Sequence, residues 1–188
     1  MHARRTPRRK VAATLAALVL LAGGVAASLP AIRPVPRVDL HRFMGTWYLV
    51  GGIPTPFERD AWNAVETYTL LDDGRIRTTL AFNRGSASGP RKRIEAPASV
   101  HPGTGNAVWD VRVLGPFKSQ YVVAWLREDY GLMLVARDAR DYAWLFSRTP
   151  GASAAELDAA RQRLRSLGYD VSRWRTIPHV DAGHRAAP

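Results

Sequence analysis

Eight short apolar runs, separated by turn-forming residues at near-regular spacing, constrain the fold of this 188-residue chain more than any other feature. The turns include Asp73-Gly74 and Pro102-Gly103, and an Asp-Gly pair between apolar runs is a strong signal for a β-hairpin. No helical pattern separates the runs, so the sequence predicts an antiparallel sandwich or closed barrel rather than βαβ units. The runs lie at residues 46–53, 62–71, 75–83, 91–101, 106–114, 120–126, 132–137 and 142–148.

One helix is predicted after the last of these runs. Ser153 and Glu156 have the spacing of a capping box, and Gly168 is placed to end the helix. The helix carries a single apolar stripe, so we expect it to pack against the outside of the sheet. The stripe consists of Leu157, Ala160, Leu164 and Leu167.

Residues 1–31 have the layout of a secretory signal. Five basic residues precede Val11, residues 11–29 are uncharged, and small residues follow. We expect export with cleavage after Ala27 or Ala31, to the periplasm or cell envelope. The alternative is an uncleaved segment, long enough to anchor the protein in the inner membrane. Both interpretations place the rest of the chain outside the cytoplasm.

The rest of the chain divides into a linker, one domain and a tail. Prolines predict an extended linker over residues 32–38. Residues 39–177 are enough for one domain with a sizeable core. Residues 178–188 are polar and rich in small side chains, and we expect them to fray.

The high positive charge belongs largely to the leader. The chain has 27 Lys and Arg against 16 Asp and Glu, a net charge of +11, but seven of the basic residues and no acidic residue precede Asp39. The remaining net charge of +4 predicts no nucleic-acid partner. The basic run at residues 91–93 is interpreted as a solvated strand end. The absence of cysteine excludes a disulfide framework, a thiol nucleophile and a lipid on an N-terminal cysteine.

Five short motifs are spread along the predicted domain. They are Gly45-Thr46-Trp47-Tyr48, Phe57 to Asp60 (FERD), Tyr68 to Gly74 (YTLLDDG), Gly115 to Phe117 (GPF) and Ala139 to Pro150 (ARDYAWLFSRTP). In order and spacing they resemble the lipocalin family, in particular its branch of bacterial outer-membrane lipocalins and apolipoprotein D. The resemblance extends from about Asp39 to Trp174, and the missing lipid-accepting cysteine is a departure from that branch.

The resemblance implies an eight-stranded antiparallel up-and-down barrel of the calycin type, with the helix packed outside. It implies that Arg148 lies across the indole of Trp47 at the closed end, a cation–π contact worth about 0.5–2 kcal/mol when shielded. Gly45 would let the chain pass close beneath that indole. Asp141 and Tyr142 belong to the same set of structural motifs.

The residues on the inward side of the barrel are the candidates for ligand binding. A closed barrel of eight strands has room for side chains or for one small ligand, and strand alternation indicates which residues point inward. Apolar walls with a few polar groups are typical of pockets for amphiphiles, although the same side chains could fill a solid core. The predicted ligand-binding residues are Ala64, Glu66, Tyr68, Thr78, Leu80, Phe82, Trp109, Val111, Tyr121, Val123 and Trp125.

Glu66 is the charged member of this inward set. A buried carboxylate is unfavourable unless it is paired or hydrogen-bonded. Two interpretations stay open. Glu66 lies near the open rim in water, or it hydrogen-bonds Tyr68 or Tyr121 or meets the head group of a ligand.

The sequence predicts neither an enzyme nor a metal or cofactor site. It contains no Gly-x-Ser-x-Gly motif, and its histidines fall in the leader, at strand ends or in the tail. This argues against a serine triad, zinc hydrolysis and histidine-ligated haem. The histidines are His2, His41, His101, His179 and His184.

Two functions remain. The resemblance implies a carrier for a fatty acid, lysophospholipid or similar small amphiphile in the bacterial cell envelope, close to a membrane. The alternative is an envelope-tethered barrel that acts as a protein-interaction module, its cavity collapsed by aromatic side chains. The oligomeric state is left open.

Overall fold

The computed structural model describes residues 29–114 and 117–180, which form a closed antiparallel barrel. Each strand pairs with the next, and β1 pairs with both β2 and β8, which closes the barrel and confirms the predicted up-and-down topology. A short β9 adds to β1 outside this closure. The strands are β1 (Gly45–Ile53), β2 (Ala61–Leu70), β3 (Ile76–Arg84), β4 (Arg91–Val100), β5 (Val108–Leu114), β6 (Phe117–Leu126), β7 (Leu132–Ala136), β8 (Ala143–Ser147) and β9 (Arg175–Thr176).

In the described part of the chain, two α-helices flank the barrel. The predicted C-terminal helix is α2 (Ala154–Ser166), and Ser153 and Glu156 form the expected capping box at its start. A one-turn helix, α1 (Leu40–Phe43), precedes β1 and was not predicted, because one turn is too short to show an apolar period. Among residues 29–114 and 117–180, no helix has the length and apolar character needed to cross a bilayer.

The apolar core has an inner and an outer part. The inner part lies inside the barrel and contains side chains such as Trp47 of β1 and Phe146 of β8. The outer part lies between the barrel and α2, where Leu145 of β8 packs with Ala160 and Leu164 of the helix. This confirms that α2 buries one stripe against the outside of the barrel.

The segment before α1 lies along the barrel. Ile32 and Val38 are buried. The N–H of Val35 donates to the carbonyl of Val123 at 2.9 Å, and that of Val38 to Gly105 at 2.7 Å. The proposed leader, apart from residues 29–31, and the tail beyond residue 180 lie outside the described residues.

Because neighbouring strands run in opposite directions, successive loops lie at opposite ends of the barrel. The open end comprises the loops at residues 54–60, 85–90 and 137–142, which join β1 to β2, β3 to β4 and β7 to β8. The closed end comprises α1 and the opposite loops. This division positions the candidate site.

Candidate functional site

A cavity of about 460 Å³ occupies the half of the barrel nearest the open end. Its wall is apolar where Leu80, Ile94, Ala96, Val111 and Phe146 face it, and polar where Glu58, Glu66, Tyr68, Thr78, Tyr121 and Trp144 face it. The mouth is formed by Thr55, Pro56, Phe57, Lys118, Ser119, Arg137 and Tyr142. The arrangement suits a ligand with an apolar body and a few hydrogen-bonding groups.

The floor of the cavity, defined as Phe43, Trp47, Tyr68 and Trp109, is a cluster of buried rings. Phe43 lies 5.4 Å from both Trp47 and Tyr68 and 5.1 Å from Trp109, measured between ring centroids. The indole N–H of Trp47 donates to the carbonyl of Phe43 at 2.8 Å, so no polar group of that ring is left unpaired. The floor therefore closes the barrel with satisfied aromatic packing.

Arg148 seals the closed end from outside. Its guanidinium carbon lies 3.9 Å from the centre of the Trp47 ring, the pairing that the resemblance implied. Its N–H groups donate to the carbonyls of Phe43 at 3.0 Å, Met44 at 2.9 Å and Thr46 at 2.8 Å. One side chain thus satisfies several carbonyls at the end of α1 while covering the indole.

Gly45 provides a backbone bend at this end. Its φ is 93°, a conformation that favours glycine. A Cβ added there would lie 3.5 Å from a guanidinium nitrogen of Arg148, an ordinary contact distance. The expectation that the glycine allows a close approach beneath the indole is therefore wrong, and the bend is its structural reason.

Two tyrosines form a polar pair where the floor meets the cavity. The hydroxyls of Tyr68 and Tyr121 are 2.6 Å apart, and Tyr121 stacks on Trp109 with ring centres 5.0 Å apart. Burial, foremost, raises the pKa of both phenols well above the usual value. Both hydroxyls stay protonated and can hydrogen-bond to a ligand.

Glu66 faces the cavity from the middle of β2. Its side chain is only partly exposed, and it lines the cavity. Burial, with a smaller contribution from the nearby Glu58, raises its pKa to about 8, and the hydroxyl of Thr78 opposes the shift. The interpretation of Glu66 as a rim carboxylate in water is wrong. At neutral pH it is mostly protonated and can donate a hydrogen bond.

Glu58 is a second carboxyl, buried in the loop between β1 and β2. It accepts hydrogen bonds from the N–H of Thr55 at 2.9 Å and from its hydroxyl at 2.7 Å. The indole N–H of Trp144 donates to both its oxygens at 3.1 Å. These bonds attach the loop to β8 and hold Glu58 on the cavity wall.

The mouth carries basic side chains with acidic partners. The ammonium of Lys118 lies 3.0 Å from a carboxylate oxygen of Asp110. The guanidinium of Arg137 lies 3.4 Å from Asp141 and 5.5 Å from the ring centre of Tyr142. Tyr142, expected only as part of a structural motif, therefore also lines the mouth.

The sequence matches the family described as a lipocalin-like domain over residues 38–179. This chain belongs to the lipocalin family. It is 32% identical over 145 residues to the outer membrane lipoprotein Blc of Vibrio cholerae, covering 76% of this chain and 83% of that protein. It is 31% identical over 170 residues to Blc of Escherichia coli K12, covering 87% and 92%.

A more distant relative agrees with this membership, and two solved structures share the fold. Apolipoprotein D of Macaca fascicularis is 28% identical over 142 residues, covering 72% of this chain and 74% of that protein. Insecticyanin of Manduca sexta has a similar fold, with a TM-score of 0.61 at 16% identity over 81% of this chain and 87% of that one. Lobster apocrustacyanin A1 gives 0.60 at 9% identity, over 81% and 92%. The predicted family and branch are confirmed, and membership supports the binding of a small hydrophobic ligand.

Ten of the predicted ligand-binding residues lie inside the lipocalin barrel. Six of them line the cavity: Glu66, Tyr68, Thr78, Leu80, Val111 and Tyr121. Four are in the inner core without lining the cavity: Ala64, Phe82, Trp109 and Val123. Strand alternation identified all ten because β2, β3 and β5 keep their phase through the cavity and β6 keeps its phase as far as Val123.

Trp125 is the exception, and its predicted inward orientation is wrong. A β-bulge between Val123 and Trp125 shifts the register of β6 against β7. One extra residue in a strand makes every later side chain point to the opposite face of the sheet. Trp125 consequently lies in the outer core, where the guanidinium of Arg163 in α2 is 4.5 Å from its ring centre.

Five residues of the cavity wall were missed: Glu58, Ile94, Ala96, Trp144 and Phe146. The two aromatic residues alternate in β8 with Leu145, but that run is apolar on both faces, so alternation does not show which face is inside. Glu58 lies in the FERD motif, whose recurrence in the family was the available signal.

Proposed function

We propose that this lipocalin binds and carries a small amphiphile with a single acyl chain, of the fatty acid or lysophospholipid type, in the bacterial cell envelope. The observation that carries the proposal is a cavity of about 460 Å³ with one open and one closed end. A cavity of this shape accommodates an apolar chain end-on and leaves the polar end at the mouth.

The charges of the site support this orientation. The mouth carries Lys118 and Arg137, whereas the interior carries two carboxyls, Glu58 and Glu66. An anionic head group is attracted to the basic groups of the mouth, whereas the described wall residues deeper inside offer it no positive charge. The acyl chain therefore enters first, along the wall formed by Leu80, Ile94 and other apolar side chains.

The protonated carboxyl of Glu66 gives the interior a hydrogen-bond donor. Because its pKa is about 8, it is mostly neutral at pH 7 and does not repel an anionic ligand. Together with the hydroxyl pair of Tyr68 and Tyr121, it can bind a carbonyl or hydroxyl group carried on or near the acyl chain. An ester or hydroxyl oxygen is therefore a favoured feature of the ligand.

The alternative, a protein-interaction module with a collapsed cavity, loses its main support. Aromatic rings fill the closed half of the barrel, but in the described part of the chain the open half keeps its cavity. No contact in that part of the chain favours a protein partner over a small ligand.

The proposed location rests on the leader and the relatives. The relatives named as outer membrane lipoproteins support an exported protein of the cell envelope. These relatives give no support to the alternative in which an uncleaved leader anchors the protein in the inner membrane. Because the chain has no cysteine, we propose that it works in the envelope without a lipid on an N-terminal cysteine, by cleavage of residues 1–31.

A titration with saturated fatty acids and lysophospholipids of graded length, followed by tryptophan fluorescence, tests the function. Affinity should rise by about 0.8 kcal/mol per methylene until the chain reaches the floor. Ala96→Phe, which fills the cavity, should shorten the optimal chain. Ala81→Phe, on the outward phase of β3, is the matched control and should leave it unchanged. Affinity that is independent of chain length, in both variants and wild type, would overturn the proposal.

A further inference from the structure

Positive charge is concentrated at the open end of the barrel. Residues 83–93 and 112–118 contain six basic residues and no acidic residue. All six are exposed, and three of them, Arg84, Arg91 and Lys92, lie beside the loop between β3 and β4. Within the described residues none of these three takes part in an ion pair, whereas Arg93 pairs with Glu95. We call Arg84, Arg91 and Lys92 the basic rim.

The closed end differs in its charge. The turn between β2 and β3 has Asp72 and Asp73 beside its basic residues. Asp73 forms an ion pair with Arg75 at 2.6 Å. Charges there compensate one another over short distances, so the basic rim gives the barrel a field directed at one end.

Phe57 is an exposed aromatic residue at the same end. It is 59% exposed and forms part of the cavity mouth. Its neighbour Glu58 is buried and hydrogen-bonded to Thr55 and Trp144. These bonds hold the loop at Glu58, and the adjacent Phe57 side chain is presented to solvent at the mouth.

We propose that the open end docks on the surface of an anionic lipid bilayer, with Phe57 at the level of the head groups and the basic rim above the anionic phosphates. An exposed phenylalanine is stabilised by burial at the boundary between head groups and acyl chains, and each basic residue near an anionic surface strengthens binding about fivefold. The cavity opens between these groups, so docking aligns the mouth with a source of acyl chains. In this last step the inference rests on the proposed function, but docking itself does not.

The absence of native cysteine allows an unambiguous test with the full chain. Ser88→Cys places an environment-sensitive dye at the open end, and Asp72→Cys places it at the closed end. Vesicles of phosphatidylcholine alone or with phosphatidylglycerol are then added. We expect a blue shift of the dye at position 88 with the anionic vesicles, reversed by salt, and little shift at position 72. Residues 30–32 contact Asp138 and Arg140 at the open end, so insertion of the N-terminal apolar run would also bring position 88 nearer the bilayer. Variants of the basic rim all keep that run and therefore separate the two causes.

A second set of variants assigns the shift to the basic rim. In the Ser88→Cys background, the combined changes Arg84→Gln, Arg91→Gln and Lys92→Gln should raise the lipid concentration for half-maximal shift by about a hundredfold. Phe57→Ser should raise it about tenfold. The matched control removes three exposed charges elsewhere and should leave it unchanged. It combines Arg37→Gln, Arg77→Gln and Arg165→Gln.

Several results would overturn the inference. These are equal shifts at positions 72 and 88, equal effects of the rim and control sets, or equal binding to uncharged vesicles. A shift with soluble polyglutamate but not with anionic vesicles would replace the bilayer by an acidic protein. Fatty-acid titration without vesicles separates the two proposals, because docking without ligand binding would overturn only the carrier function.

Discussion

Both ends of the barrel contain aromatic side chains, but these rings fill the interior at the closed end and line a cavity at the open end. At the closed end, the rings of Phe43, Trp47 and Trp109 fill the space, and Arg148 donates to the carbonyls around them. At the open end, Trp144 and Tyr121 line a cavity that also contains the carboxyls of Glu58 and Glu66.

The comparison shows how one barrel separates stability from binding. Filled, hydrogen-bonded aromatic packing stabilises the closed end. The open end keeps unfilled volume and a carboxyl with a raised pKa, both of which are unfavourable for folding but suitable for a ligand. Substitutions at the closed end should therefore change stability, and substitutions at the open end should change binding.

The largest effect is expected from Trp47→Ala at the closed end. Removing a fully buried indole should lower the free energy of unfolding by about 3–5 kcal/mol, measured by urea denaturation. Trp125→Ala is the matched control, because Trp125 is only half-buried on the outer face, and it should have a clearly smaller effect. Equal losses would show that the floor is no more important than the outer core.

Arg148→Ala should have the next largest effect, about 2 kcal/mol, because it removes the cation–π contact and leaves several carbonyls to water. Ligand affinity should stay within a few-fold of wild type, since Arg148 lies outside the floor. Arg148→Lys keeps the charge without the planar fork and should restore only part of the stability. An intact fold that no longer binds ligand would contradict the assignment of Arg148 to the closed end.

Glu66→Gln tests the carboxyl inside the cavity through the pH dependence of stability. Its pKa is about 8 in the folded protein and 4.5 without burial, so the folded state binds the proton more tightly. As pH rises from about 4.5 to about 8, wild-type stability should fall more than that of Glu66→Gln, and the extra loss should be on the order of 4 kcal/mol. Glu95→Gln, which removes an exposed carboxylate, should follow wild type. Parallel profiles for wild type and Glu66→Gln would exclude a buried, protonated Glu66.

The same group should make the binding of anionic ligands dependent on pH. Between pH 6.5 and pH 9 Glu66 ionises, and wild-type affinity for a fatty acid should fall by about three- to tenfold through like-charge repulsion. Glu66→Gln should not show this fall in fluorescence titrations. Lysophosphatidylcholine, whose head group has no net charge, is the control ligand. An equal fall for both proteins would place Glu66 away from the ligand.

The smallest effect is expected from Trp125→Ala on binding. Trp125 lies outside the barrel, so ligand affinity and the optimal chain length should remain within about twofold of wild type. Trp109→Ala, which opens volume beneath Tyr121, should lengthen the optimal chain. The same titration measures both. A change in chain-length optimum for Trp125→Ala would indicate that the outer core is coupled to the cavity.

The sequence by itself determined the eight strands and the capped helix, whereas the cation–π pair at the closed end was implied by the resemblance to the lipocalin family. The strands and the helix depend on local periods and short motifs, and residues such as Ser153 and Glu156 carry the information within one turn of chain. The inward phase of β2, β3 and β5 was equally predictable, because alternation continues through those strands without interruption where they line the cavity.

Only the tertiary structure decided the orientation of Trp125, the position of Glu58 and the protonation of Glu66. A β-bulge changes the phase of β6, and nothing in the residues around it requires one extra residue there. Glu58 meets Trp144 across 86 residues of chain. The raised pKa of Glu66 reflects burial and a neighbouring carboxyl, and both are properties of the space around a residue that come into existence only when the barrel closes.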